Sequence, residues 1–226
     1  MTTLLRFNLK ENKGVFFENS LIRKFYFSLK KNFYPKSLTR EYNGYKWYFS
    51  ILKKKKIVSN FRVKKIKNKL ELSLIKGKQF RYLNNIVSFD EKVILNIFSQ
   101  YKLIWPKKKL VPFHGDLTIE NIVYLKNKLP IFIDWENYKK KEIWGLDICY
   151  FLISLLTLPA ISKNKFVLEK TELEKFSYYW KKFFLKKDHK YIKRPIDFLK
   201  KKIVKKNSFI FKIPKSMEKQ ILYSIL

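Results

Sequence analysis

One stretch of this chain concentrates side chains that can do chemistry: His114-Gly115-Asp116-Leu117-Thr118-Ile119-Glu120-Asn121, followed after two further apolar runs by Asp134. The four residues between Asp116 and Asn121 let a loop turn back, so that both side chains can face one site. Ile131-Phe132-Ile133 reads as a short strand, which would present Asp134 at its end beside that loop. A carboxylate, a nearby amide and a second carboxylate are the parts that phosphoryl transfer to a hydroxyl needs. One group takes the hydroxyl proton, and the others offer oxygen atoms to a hard cation. His114 alone would read as a satisfied loop or core histidine, and Asp134 alone as a strand-end turn former. Their occurrence together at this spacing outweighs the separate structural readings.

The spacing matches the His-x-Asp-Leu-x-x-x-Asn pattern of kinase catalytic loops. With Ile133-Asp134-Trp135-Glu136 and then Trp144-Gly145-Leu146-Asp147, the segment resembles the aminoglycoside phosphotransferase and choline kinase superfamily. That resemblance implies a protein-kinase-like two-lobed fold, ATP as donor and Mg2+ as cofactor. It also implies a small-molecule hydroxyl acceptor resembling choline, ethanolamine, an aminoglycoside or a sugar. By the same resemblance Asp116 is the catalytic base and His114 orients its loop. Asn121 and Asp134 are the magnesium ligands, Asp147 braces the loop from the following helix, and Glu136 helps to bind the acceptor. The motifs cover about residues 110–156.

In the first third, Lys24 is the candidate for pairing nucleotide phosphates, with Glu41 as its ion-pair partner on the following helix. Lys30 and Lys31 are rivals for Lys24. Leu74-Ile75-Lys76-Gly77 resembles a hinge whose backbone would hold adenine, with Ile75 and Gly77 as its binding residues. Only Asn12-Lys13-Gly14 occupies the first turn, so a glycine-rich phosphate loop is absent. No Ala-Pro-Glu-like ending follows Asp134, which argues against a protein kinase.

The elements expected to position these groups divide into an α+β arrangement. Aromatic and β-branched runs predict strands at 3–9, 15–17, 21–27, 57–66 and 69–75, with turns at 11–14 and 67–68. A helix over about 37–49 is expected, capped by Ser37 or Thr39. Val93, Ile94, Ile97, Phe98 and Tyr101 fall on one helical face, and short strands follow at 110–113 and 130–133. A buried helix over 146–161 and a helix over 171–187 complete the pattern. Asp147 also suits the cap of a helix beginning near Ile148. Trp180, Tyr178 and Tyr179 could box a quaternary ammonium, although an aromatic stripe at helical spacing is more often core. The division is residues 1–78 as a small antiparallel β nucleotide-binding lobe and 79–226 as a larger, mainly helical catalytic and acceptor-binding lobe.

Composition excludes some classes. Of 226 residues 46% are hydrophobic, with 21 Phe and 14 Tyr, so the chain can build a packed core and disorder is not the default. One cysteine and two histidines cannot supply a disulfide or the usual zinc set, which fits a reducing, cytoplasmic setting. The apolar run at 146–161 carries Asp147 and Pro159 and falls short of the roughly 20 residues of a membrane span. The formal charge of +33 would attract phosphates, nucleic acid and anionic membranes. Because the cations are mostly lysine, spread along the chain, a bias toward A- and T-rich codons is the stronger reading. The alternative is a non-catalytic kinase-like protein that binds RNA or anionic surfaces through its basic face.

Overall fold

Runs of aromatic and branched apolar residues near the N-terminus form three consecutive antiparallel strands, Thr2–Asn8 (β1), Lys13–Glu18 (β2) and Leu21–Tyr26 (β3). The computed structural model describes residues 2–8, 13–18, 21–26, 36–81, 85–184, 194–203 and 208–226. Val63–Ile66 (β4) and Lys69–Ser73 (β5) complete a five-stranded sheet in the order β1-β2-β3-β5-β4. Residues two apart on a strand share a face, and Lys24 pairs with Leu70 while Ile22 pairs with Leu72. Lys24 therefore emerges from the same face as Ile22, among the buried Leu70 and Leu72.

That face meets the helix Lys36–Lys54 (α1). Its buried stripe of Leu38, Glu41, Tyr45, Tyr48, Phe49 and Leu52 follows the three- and four-residue steps of one helical face. Glu41 is the single acid on that stripe, and it is fully buried.

The rest of the chain is mainly helical. Glu91–Ile104 (α2) is capped by the Asp90 carboxylate, which accepts the Lys92 N–H at 2.9 Å. Lys78–Gln79 (β6), Ile122–Tyr124 (β8) and Pro130–Phe132 (β9) make one small sheet, and Leu110–Phe113 (β7) pairs with Lys139–Ile143 (β10) in another. Leu146–Ser162 (α3) is buried almost all round, and Lys170–Phe183 (α4), Pro195–Lys202 (α5) and Lys215–Ile225 (α6) pack outside it. Among the described residues no helix is long and apolar enough to cross a membrane. This is the two-lobed α+β architecture expected from the sequence: a small antiparallel sheet with one helix, then a larger helical part.

The seam is filled by rings. Tyr101 stacks on Trp105 at 4.5 Å and 10°, and Trp105 lies parallel to Trp135 at 6.0 Å and 8°. Trp47 and Tyr48 of α1 close on the same group, with Trp47 edge-on to Trp135 at 5.6 Å. Such pairs contribute about 0.5–1.5 kcal/mol each beyond their burial.

Several expectations are corrected. Strand structure does not extend over 57–62, because α1 runs on to Lys54. The residues after it close the helix, with Lys56 at φ 55° and the Ile57 N–H bonded to Leu52 O at 2.9 Å. Ser37 and Thr39 lie inside α1 rather than capping it. The strand Lys139–Ile143 was not anticipated, since its lysines mask any alternation. Tyr179 and Trp180 are fully buried core, and the Tyr178 hydroxyl donates to Glu91, so the three rings form no box. The helix α4 ends at Phe183, and residues 185–187 of the expected helix lie outside the described residues, as do turn residues 11 and 12 and the rivals Lys30 and Lys31.

Gly44 lets α1 approach Trp135: a Cβ at 44 would fall 2.6 Å from Trp135 Cβ. An exposed helical Gly→Ala change gains roughly 0.5–1 kcal/mol, whereas overpacking a core costs about 1–3 kcal/mol. Gly44→Ala is therefore expected to lower stability in urea denaturation, and a gain would show that the contact is slack.

Candidate active site

After β7 the chain must turn sharply, and Gly115 does so at φ 84°, where a Cβ would also lie 2.5 Å from Asn137 O. The turn is held from below. Asp147, in the first turn of α3, accepts the His114 and Gly115 backbone N–H groups at 3.0 Å each, one on each carboxylate oxygen. The N-cap of α3 is Gly145, so Asp147 braces the loop instead of capping its own helix. Burial pushes its carboxyl up to about 7, against the two N–H bonds that pull it down.

His114 is fully buried, and its ring lies 4.5 Å from that of Trp135. Its Nε2 sits 2.8 Å from Ile133 O. A carbonyl only accepts, so Nε2 carries the proton, and Nδ1 accepts the Asp116 N–H at 3.4 Å. The neutral imidazole thus ties the Asp116 turn to the segment leading into Asp134. Burial lowers its pKa from 6.5 to about 4.

Asp116 Oδ1 accepts the Tyr150 hydroxyl at 2.7 Å, and the Tyr150 oxygen is also 3.0 Å from Ser208 Oγ. The loop closes on itself through Asn121, whose Nδ2 donates to Asp116 O at 2.7 Å. That bond engages the amide nitrogen, so the atom Asn121 could offer to a cation is its amide oxygen. The Ile133 N–H donates to Asn121 O at 2.9 Å, which sets the loop beside the Asp134 segment.

Asp134 takes the left-handed conformation, φ 65°, tolerated best by residues such as Asp and Asn. Its N–H is pinned by the Tyr45 hydroxyl at 2.8 Å. Lys24 Nζ bonds to Glu41, lies 2.9 Å from Asp134 Oδ1 and stands 4.0 Å from Glu136 Oε1. Carboxylate oxygens of Glu41, Asp134 and Glu136 all lie within 4.8 Å of one another. Glu136 is thus gathered toward Lys24, and its carbonyl accepts Arg40 Nε at 2.9 Å.

Two clefts flank these groups. One, of about 340 Å³, is an apolar slot between Ile22, Leu72 and Ile75 on one side and Val123 and Ile133 on the other, with Lys24 at its end. The other, of about 560 Å³, is lined by Asp116, Tyr150 and Ser208. Glu120, Asn121 and Asp134 line both. The structure therefore brings Lys24, Glu41, Asp134 and Asn121 to one junction, with Asp116 beside it. Gly77 stands apart from the slot wall, against Tyr124, where a Cβ would lie 2.1 Å from the Tyr124 carbonyl oxygen. Tyr150 and Ser208 were not foreseen. Tyr150 sits in an unbroken apolar helix run that reads only as core, and Ser208 reaches the site from a distant segment with no motif.

No family model matches the chain, and no curated protein matches it. Among solved structures, a choline/ethanolamine kinase family protein from Mesorhizobium loti is similar over 99% of this chain and 92% of its own, at 9% identity and a TM-score of 0.39. The Rio2 kinase from Chaetomium thermophilum, in a complex with ADP/Mg2+ and phosphoaspartate, is similar over 99% of this chain and 70% of its own, at 12% identity and a TM-score of 0.35.

With its pKa lowered, native His114 binds fewer protons than the unfolded chain between about 4 and 6.5, so its contribution is present above that window and lost as pH falls through it. Asp147 has the opposite sign: its raised pKa makes its contribution decline as pH rises from 3.8 to about 7. Comparing His114→Gln with wild type isolates the first effect. The stability gap between them should narrow from pH about 7 to about 4.5 in urea denaturation. A constant or widening gap would mean that the imidazole is charged in the folded protein.

Proposed function

We propose that this chain is a kinase-like phosphotransferase that moves the γ-phosphate of ATP to a hydroxyl of a small molecule. One observation carries the reading: the two clefts meet at Asn121 and Asp134, with Lys24 lining one and Asp116 the other. A donor entering from the slot and an acceptor entering from the wider cleft would meet at that strip, which is the geometry in-line transfer needs.

In this reading the adenine occupies the apolar slot beside Ile75, and residues 1–78 form the nucleotide-binding part. Lys24, held by Glu41, meets the phosphates. Residues 79–226 supply the catalytic loop and the acceptor cleft. Asn121 and Asp134 would hold magnesium, since an amide oxygen and a carboxylate form the oxygen donor set that this hard cation prefers. Bound there, it supplies neutralisation of phosphate charge. Asp116 orients the acceptor hydroxyl and takes its proton. The hydroxyl oxygen bonds to the γ-phosphorus, the bond from phosphorus to the β–γ bridging oxygen breaks, and ADP leaves. Tyr150 holds one Asp116 oxygen through its 2.7 Å bond and so fixes the orientation of the carboxylate at the cleft. The choline-, ethanolamine-, aminoglycoside- and sugar-like alcohols that the sequence resemblance implies form the first part of the acceptor pool to be tested.

The test is ADP release from magnesium-ATP with pooled hydroxyl-bearing acceptors. Asp116→Asn should lower acceptor-dependent release by about 10²–10⁴. Tyr150→Phe, which keeps the ring but removes a hydrogen bond to a charged group, should lower kcat by roughly 10-fold and leave ATP binding intact. No ADP release together with no ATP binding would overturn the reading and leave the basic surface as the leading explanation.

A further inference from the structure

Within the phosphotransferase reading, the walls of the wider cleft select a class of acceptor. The acidic groups that line it among the described residues are Asp116, Glu120 and Asp134, and Glu120 and Asp134 belong to the strip shared with the nucleotide slot. Away from that strip the wall is built differently. Beyond Asp116 it presents, among the described residues, Leu158, Ile161 and Phe209, the side chains of Ser162 and Ser208, and one charged side chain, Lys212. Lys212 closes the short helical turn Phe209–Lys212 and is exposed at the cleft.

A cationic acceptor fits this wall poorly. An ammonium that leaves water needs carboxylates or open aromatic faces around it. The distal wall offers no described carboxylate. Its two rings, Tyr150 and Phe209, pack on each other at 5.0 Å and are only 2% and 8% exposed, so they present little face to a ligand. Lys212 adds a like charge that repels an ammonium. An anion meets the opposite situation: a lysine among the groups that line the cleft, and an apolar surface of Leu158, Ile161 and Phe209 for a carbon skeleton, while the Ser162 and Ser208 hydroxyls already donate to Pro159 O and the Tyr150 oxygen.

We propose that the acceptor is an anionic alcohol, a hydroxyl compound carrying a phosphate or carboxylate group that is received by Lys212 while its hydroxyl lies at Asp116. The group transfer is unchanged: the acceptor oxygen bonds to the γ-phosphorus, its proton goes to Asp116, and ADP leaves with the bridging oxygen. The product therefore carries two anionic groups.

Two measurements on the full chain test this. The first is ADP release from magnesium-ATP with glycerol, glycerol 3-phosphate, glycerate, choline, ethanolamine and kanamycin as acceptors. The second is equilibrium binding of glycerol 3-phosphate, glycerate, glycerol and choline to the protein with magnesium and a non-hydrolysable ATP analogue. Lys212→Glu is compared in both with Lys170→Glu, an equal charge change at a side chain that is 90% exposed on α4. Glycerol 3-phosphate or glycerate should bind at least 10-fold tighter than glycerol or choline. Lys212→Glu should abolish that preference with nucleotide binding retained, and Lys170→Glu should preserve it. The phosphate and carboxylate probes tell the two anions apart.

Choline, ethanolamine or kanamycin as the better acceptor would overturn the proposal. So would equal losses in the two lysine variants, which would assign anion binding to the general field of the protein. Because the binding arm reads Lys212 without turnover, a failure of phosphoryl transfer and a failure of anion recognition give different results.

Discussion

An ammonium taken out of water must be neutralised where it stands, and Lys24 is only 8% exposed. Glu41, fully buried on α1, has the reciprocal need. Neither could be buried alone without a cost of about 3–5 kcal/mol for the charge left behind. The pair therefore dictates how α1 lies under the sheet: its stripe must bring an acid to the strand position two residues beyond Ile22. Asp134 joins the same ammonium at 2.9 Å from a third element. Sheet, helix and Asp134 turn are thereby registered against one another by charge, and the surrounding apolar contacts act on an arrangement already chosen.

The second layer of constraint is neutral. The ring series from Tyr101 through Trp105 and Trp135 reaches His114, and Gly44 allows α1 to press against it. His114 and Asp147 then convert this packing into loop geometry by using backbone groups of the loop as partners. Both residues hold positions through hydrogen bonds in places where water is excluded, so each bond is costly to lose. Asp116 itself is left at the cleft edge, partly buried and oriented by Tyr150.

Charge explains why the acids are informative in this chain. Against 51 lysines and arginines, the 18 acids include Glu41, Asp116, Glu120, Asp134, Glu136 and Asp147, all in or beside the two clefts. A third of its scarce carboxylates thus stand in or beside these two clefts, while Lys212 also lines the wider one.

By itself the sequence determined the elements whose signals are local. The His114 to Asn121 spacing, the apolar run ending before Asp134 and the Tyr101 helix face could all be read because turn chemistry and periodicity depend on near neighbours. The partners of those residues were a different matter. Lys24 could not be told from its lysine neighbours by spacing, since lysine is everywhere in this chain; it is distinguished by its register opposite Leu70 on the face toward α1. That Glu136 stands 4.0 Å from Lys24, two residues past the left-handed Asp134, was likewise not legible from spacing. Tyr150 and Ser208 are 58 residues apart, and they meet at Asp116 only because α3 and the Phe209–Lys212 turn pack together. Sequence patterns record which face a residue occupies, whereas the contents of a cleft are set by which faces of distant elements are packed together. That is why the loop could be read from the chain and the walls of the wider cleft were decided by the tertiary structure alone.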